Sequence, residues 1–127
     1  MAIERFFRLC AGIVGLAIMA FAGAPVVAHH SFATFDATRT VVLDGTVRTI
    51  EWTNPHIWIE LVVAKNGQLV TYRIEGASPI SLGRKGWVRT AIKPGDKVLL
   101  TINPLKSGEP GGAVKKIQLA DGRTFEA

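Results

Sequence analysis

The chain has 127 residues with a formal net charge of +5, and 48% of its residues are hydrophobic. That length suffices for one domain with its own core. Apart from Arg5 and Arg8, the basic residues are spread from Arg39 to Arg123 without a dense run. Such spacing is typical of a solvated surface and excludes the concentrated charge of a nucleic-acid footprint, so no nucleic-acid partner is expected.

The N-terminal segment has the three-part layout of a secretory signal. Arg5 and Arg8 precede an uncharged apolar run over residues 9–21, and small residues follow up to Ala28. This order of a basic region, an apolar region and a small-residue site is typical of a signal peptide cleaved on export. We therefore expect cleavage after Ala28 and a periplasmic location.

Cleavage there divides the chain into a signal peptide, residues 1–28, and a mature domain, residues 29–127. The alternative is a retained anchor, since residues 9–28 carry no charge and approach the roughly 20 residues that span a bilayer. Contact with the membrane is expected only through this segment, if it stays uncut. The single cysteine, Cys10, lies in the signal, so no disulfide would stabilise the mature domain.

Alternating and β-branched segments predict the first three strands. Residues 40–52 favour a long strand in which Gly45 marks a bulge or a sharp bend. Asn66-Gly67 separates two alternating segments, which is the pattern of a tight β-hairpin. The expected inward-facing residues are Ile57, Ile59, Leu61 and Val63 before the turn, and Val70, Tyr72 and Ile74 after it.

The second half of the chain predicts a short helix and two further strands. Ser78 precedes a proline, so a helix of one or two turns is expected over residues 79–82. Pro94-Gly95 fits a type II turn that leads into a strand over residues 97–103. A last principal strand is expected near residues 113–119.

The order of these elements predicts a mainly β fold. A long bent strand, a hairpin, a short helix and two strands match the five-stranded Greek-key barrel of the OB type. A β-sandwich is the alternative. The barrel is favoured because closure removes the exposed edges that so few strands would otherwise present.

Five short motifs resemble those of an uncharacterised family of small exported bacterial proteins, known only as a domain of unknown function. The resemblance implies export and a single domain, and it implies no activity. The motifs are His29-His30-Ser31-Phe32, Trp52-Thr53-Asn54-Pro55-His56, Gly86-Trp87, Pro94-Gly95-Asp96 and Asp121-Gly122-Arg123.

Histidines suggest a metal site at the mature N-terminus. After cleavage, the free amine and the imidazole of His29 could chelate one divalent ion, with His30 or His56 supplying a further nitrogen. Nitrogen ligands without thiolate or thioether favour Cu(II). The alternative is that His29 and His30 form a hydrophilic leader and that His56 orders a turn by a hydrogen bond to a nearby carbonyl.

A second hypothesis is a ligand face that carries tryptophan. Strand parity places His56, Trp58 and Glu60 on the side opposite the core, and Trp52 and Trp87 could join them. OB-type faces bind extended oligomers such as glycans with aromatic platforms. The alternative is that the tryptophans cap the open ends of the core.

Arg73, Arg84 and Lys85 could recognise a phosphate or carboxylate on a ligand or an envelope protein, and ordinary solvation is the alternative. No cysteine nucleophile, phosphate-binding glycine loop or zinc-protease motif is present in the mature sequence. The spacing of the acidic residues does not impose a catalytic pair. A binding or accessory module is therefore expected, with a purely structural envelope role as the remaining alternative, and no enzyme activity.

Overall fold

Six strands and one short α-helix occupy the residues that this computed structural model describes, 32–127. The predicted signal peptide, His29 and His30 lie outside them. The elements, after a 3-10 turn at Phe32–Thr34, are β1 (Val41–Glu51), β2 (Trp58–Lys65), β3 (Gln68–Glu75), α1 (Pro79–Arg84), β4 (Lys97–Pro104), β5 (Gly111–Leu119) and β6 (Thr124–Glu126).

Five of these strands close into a barrel. β1 pairs antiparallel with both β2 and β4, β2 pairs with β3, and β4 pairs with β5. A parallel pairing of Arg73 to Glu75 with Gly111 to Ala113 joins β3 to β5 and completes the circuit. With α1 between β3 and β4, this is the OB arrangement, and the predicted fold class is confirmed.

The core fills the barrel with the inward side chains of every principal strand. Ile57 and the inward residues of β2 and β4 are buried as the alternation predicts: Ile59, Leu61, Val63, Val98, Leu100 and Ile102. Val70 and Tyr72 are only half-buried, because β5 pairs with the far end of β3 and leaves the hairpin end less enclosed.

The predicted turns have the backbone geometry that their sequences require. Asn66 and Gly67 have φ angles of 51° and 78°, as a type I′ hairpin turn demands at both central positions. Gly95 has a φ of 94°, and the Asp96 N–H donates to the Lys93 carbonyl at 3.1 Å. Both turn predictions are confirmed.

The short helix forms where the sequence predicts it and runs slightly further. The Ser78 side chain accepts a hydrogen bond from the Ser81 N–H, and Pro79 occupies the first turn, where its missing N–H costs nothing. Leu82 is buried and fixes α1 against the barrel. Within residues 32–127, the helical segments are too short to cross a membrane.

Of the bulge and the sharp bend predicted as alternatives for Gly45, the bulge does not lie at this residue. The register shift in β1 lies further along the strand, between Val47 and Thr49. A Cβ added to Gly45 would lie 2.7 Å from Leu61 Cγ and 2.7 Å from the Val62 carbonyl oxygen. Glycine is therefore required here because the barrel wall approaches too closely for any side chain.

Candidate ligand-binding face

The strand registers bring four polar or aromatic side chains together on the outside of the barrel. Glu51 on β1 lies opposite Trp58 on β2, and Glu60 on β2 lies opposite Arg73 on β3. Directly opposed residues of antiparallel strands point to the same side of a sheet. We call these residues, Glu51, Trp58, Glu60 and Arg73, the Trp58 face.

Arg73 occupies the centre of the Trp58 face. Its guanidinium carbon lies 4.5 Å from the centroid of the Trp58 ring. Arg73 Nη1 lies 3.6 Å from Glu51 Oε1 and 3.8 Å from Glu60 Oε1. The Arg73 side chain is 50% exposed, so it is held in place by three neighbours while one side remains open to a ligand.

The charges around Arg73 balance one another. Arg48 Nε lies 3.9 Å from Glu60 Oε2, so two carboxylates stand against two guanidinium groups there. A third carboxylate, Glu75, lies opposite Trp58 with its Oε1 3.2 Å from His56 Nδ1. A phosphate or other anion approaching Arg73 would meet Glu51 and Glu60 as well. The face therefore suits a ligand without a strong net charge better than the anionic group considered for Arg73 from the sequence.

An open groove lies further along β2 and β3 from the Trp58 face, and residues of β1 and β4 also border it. It has a volume of about 450 Å³ and is lined by Val62, Ala64 and Leu69, with Asp44 and Lys97 among its polar residues. Leu69 is 78% exposed. Together, the face and the groove offer an extended track with one polar and one partly apolar part.

His56 lies in the loop before β2 and is fixed by two acceptors. Its Nδ1 lies 3.0 Å from the Gly76 carbonyl oxygen and 3.2 Å from Glu75 Oε1. Because both partners accept hydrogen bonds, Nδ1 carries the proton and Nε2 is the other ring nitrogen, available to a donor or a metal. The contact with Gly76 is the carbonyl bond that the turn-ordering alternative requires.

His56 and Glu75 also line a cavity of about 260 Å³, with Phe35 and Ala113 on its apolar side. Lys85 lies at the same cavity, where its Nζ donates to the Ala127 carbonyl at 2.6 Å. Sites for drug-sized ligands begin at roughly 300 Å³. This cavity lies just below that range, so it suits a small group better than an oligomer.

The other two tryptophans belong to the core side of the barrel. Trp87 is 2% exposed, its Nε1 donates to the Glu126 carbonyl at 2.7 Å, and its ring is tilted against Phe125 at 5.5 Å between centroids. Trp52 is half-buried and packs against the core. The structure thus brings Trp58, Glu60 and Arg73 together and leaves Trp52 and Trp87 elsewhere.

The metal hypothesis concerns residues that the structure does not describe. His29 and His30 lie outside residues 32–127, and within that range no three His, Cys, Asp or Glu side chains gather as a metal site. Glu51, in contrast, is a member of the Trp58 face that was not among the predicted site residues. Only the register between β1 and β2 reveals it.

Residues 17–115 match the model of a family described as Family of unknown function (DUF6152). The chain belongs to this family. The match includes β1 to β4 and the residues of β5 that close the barrel, so the complete Trp58 face lies within the family's extent. No curated protein and no solved structure matches the chain. Since the family carries no assigned activity, inference about function depends on the site itself.

Proposed function

We propose that this protein is an exported, non-enzymatic binding module of the periplasm that holds a polar oligomeric ligand on the Trp58 face. One observation carries the proposal: Arg73 lies over Trp58 between two carboxylates, on the outer surface of β2 and β3. OB barrels bind oligonucleotides and oligosaccharides on this same surface. The location is argued by analogy of fold, and the ligand class is argued from the residues.

A neutral oligosaccharide suits these residues best. The guanidinium of Arg73 donates hydrogen bonds and the carboxylates of Glu51 and Glu60 accept them, which matches the mixed donors and acceptors of sugar hydroxyl groups. The balanced charge disfavours a polyanion. The groove beside Leu69 supplies apolar surface for the C–H faces of a sugar ring.

An envelope protein is the second candidate ligand, and the groove favours it. Leu69 is the most exposed large hydrophobic residue of the described chain, and it lies beside Val62 and Ala64. Exposed apolar surface with a polar rim is typical of a protein-interaction site. Copper binding through His29 and His30 remains a separate prediction. The contacts of the Trp58 face neither support it nor oppose it.

The test is titration with a panel of neutral and anionic oligosaccharides, followed by tryptophan fluorescence and calorimetry. We expect a neutral member to bind and to change the emission. Arg73→Gln and Glu60→Gln should each weaken that binding about tenfold or more, since each removes a hydrogen bond to a charged group. Lys116→Gln, an exposed change on β5, is the control and should bind as the wild type does.

Two results would contradict the proposal. The first is the absence of binding by every neutral oligosaccharide in the panel. The second is binding that Arg73→Gln leaves unchanged, which would move the ligand away from the Trp58 face.

A further inference from the structure

Most of the connection between β3 and β4 carries only positive charge, and its one acidic residue, Asp96, stands directly before β4. Residues 76–95 contain Arg84, Lys85, Arg89 and Lys93 and not one acidic residue. Elsewhere in the described chain acidic residues are interspersed with the basic ones, and the next most basic stretch, residues 97–120, holds four lysines and one glutamate. This segment is therefore the most positively biased part of the domain.

Buried anchors determine which side chains of this segment point outward. Leu82, Trp87, Ala91 and Ile92 are buried, and the Trp87 N–H donates to the Leu82 carbonyl at 3.1 Å. The residues between and around these anchors are exposed. We call four of them, Ile80, Arg84, Val88 and Arg89, the basic patch.

Neither arginine of the basic patch is neutralised by a partner within the described residues. Lys93 lies 3.8 Å from Asp96 Oδ1, and Lys85 donates to Ala127, but Arg84 and Arg89 have no ion pair in residues 32–127. Ile80 and Val88 are 65% and 55% exposed. Arg84 comes four residues after Ile80 on α1 and Arg89 directly follows Val88, so each uncompensated guanidinium group has an exposed aliphatic residue close to it in sequence.

We propose that the basic patch docks on the surface of a bilayer that contains anionic phospholipid. Basic side chains near such a surface are attracted to its negative potential, and adjacent aliphatic residues enter the boundary between headgroups and acyl chains. The patch lies on the β3–β4 connection, and none of its residues belongs to the Trp58 face. The proposal therefore goes beyond the proposed function and does not depend on it.

The aliphatic residues favour a bilayer over other anionic partners. A nucleic acid would attract the arginines but would leave the side chains of Ile80 and Val88 in water. A bilayer interacts favourably with both kinds of side chain, because it presents negative charge directly above an apolar interior.

The experiment measures flotation of the exported protein, in the form in which cells release it, with two kinds of vesicle. One contains phosphatidylcholine alone, and the other contains equal parts of phosphatidylcholine and phosphatidylglycerol. Binding that depends on the patch is the excess on the anionic vesicles, because an uncut N-terminal anchor would insert into both kinds. We expect such an excess, and we expect added salt to reduce it.

Variants of the basic patch test whether its residues cause the excess binding to anionic vesicles. Arg84→Ala and Arg89→Ala should each weaken this excess about fivefold, the effect of one basic residue near an anionic surface. Ile80→Ser with Val88→Ser should weaken it further. The charge-matched control, Lys65→Ala with Lys116→Ala, changes exposed residues elsewhere and should keep most of it. Equal binding to both vesicles would overturn the proposal. So would an equal loss of the excess binding in the Lys65→Ala, Lys116→Ala variant and in the variant that combines Arg84→Ala with Arg89→Ala. So would retention of the full excess by the Ile80→Ser, Val88→Ser variant.

Discussion

The guanidinium of Arg73 lies over the indole ring of Trp58, with its carbon 4.5 Å from the ring centroid. The two residues are diagonal neighbours on adjacent strands, since Trp58 is opposed by Glu75 and Arg73 by Glu60. Diagonal pairs are within reach of aromatic and long side chains. The contact covers one part of the ring and holds a half-exposed cation at a fixed place on the barrel surface.

Removal of Arg73 should uncover Trp58 at a small cost in stability. Arg73→Ala loses a cation–π contact and two long ion pairs, which together stabilise by about 1 kcal/mol at an exposed site. We expect a slightly lower urea midpoint and stronger quenching of tryptophan emission by acrylamide. Arg48→Ala, which loses one 3.9 Å pair with Glu60, is the control. Unchanged quenching in Arg73→Ala would contradict the stacked arrangement.

Gly45→Ala should destabilise the barrel because its new Cβ would meet Leu61 and the Val62 carbonyl. Overpacking of this kind costs about 1–3 kcal/mol. The matched control is Gly83→Ala in α1, where no atom lies within 4 Å of the added carbon and alanine is the better helix former by about 1 kcal/mol. Thermal unfolding should therefore move the two variants in opposite directions. Equal midpoints of thermal unfolding in the two variants would show that the residues around Gly45 can shift to accommodate the added Cβ.

Low pH should remove the stabilisation of the folded state that comes from the hydrogen bond between Thr38 and the ionised Asp36 carboxylate. The Asp36 Oδ1 accepts hydrogen bonds from the Thr38 hydroxyl at 2.6 Å and from its N–H at 3.1 Å, and chiefly the hydroxyl bond lowers the pKa of Asp36 below its ordinary value. The folded pKa then lies below the unfolded value of about 3.9. The contribution is present above that value and is lost as the pH falls through the folded pKa.

Thr38→Ala tests this dependence by urea unfolding at neutral pH and at about pH 2.5, well under the unfolded value. We expect the variant to be less stable than the wild type at neutral pH and the difference to shrink in acid. Thr71→Ala, an exposed change on β3, should show no such trend. A difference that stays constant with pH would mean that the hydroxyl does not act through the ionised carboxylate.

Copper affinity is predicted to require a free amine on His29. The processed protein should bind Cu(II) with a Kd of about 1 µM or tighter, and one extra residue before His29 should abolish that affinity. His30→Ala and His56→Ala then decide whether either imidazole is a co-ligand. For His56 the nitrogen concerned is Nε2, since Nδ1 is bonded to Gly76. Weaker binding by the processed protein, or tolerance of the extra residue, would remove the hypothesis.

Local sequence patterns predicted the parts of the fold that depend on local physics. The alternation before and after Asn66-Gly67 identified β2, β3 and their turn, because pleating and φ preference act over a few residues. Gly45 shows the limit of prediction from local sequence patterns. A glycine that permits close approach and a glycine that permits a bulge look the same in sequence, and only the packing of Leu61 distinguishes them.

The candidate site was predicted in part for the same reason. Parity along single strands placed Trp58 and Glu60 on the outer surface, and Arg73 was expected outward on the next strand. The role of Glu51 depends on a register set by the whole barrel. The burial of Trp87 depends on Phe125 and Glu126, nearly forty residues away in sequence, which no local pattern reports.

The parallel pairing of β3 with β5 also imposes an order of assembly. Arg73 is one of the residues that close the barrel, and its partner Gly111 comes late in the chain. During the export that we propose, β1 to β3 would cross the membrane before β5, and contacts so distant in sequence form slowly. The barrel can close only when the residues around Gly111 are present. Until then, β3 has an unpaired edge to which a neighbouring chain can bind, and closure by β5 is the step that covers it.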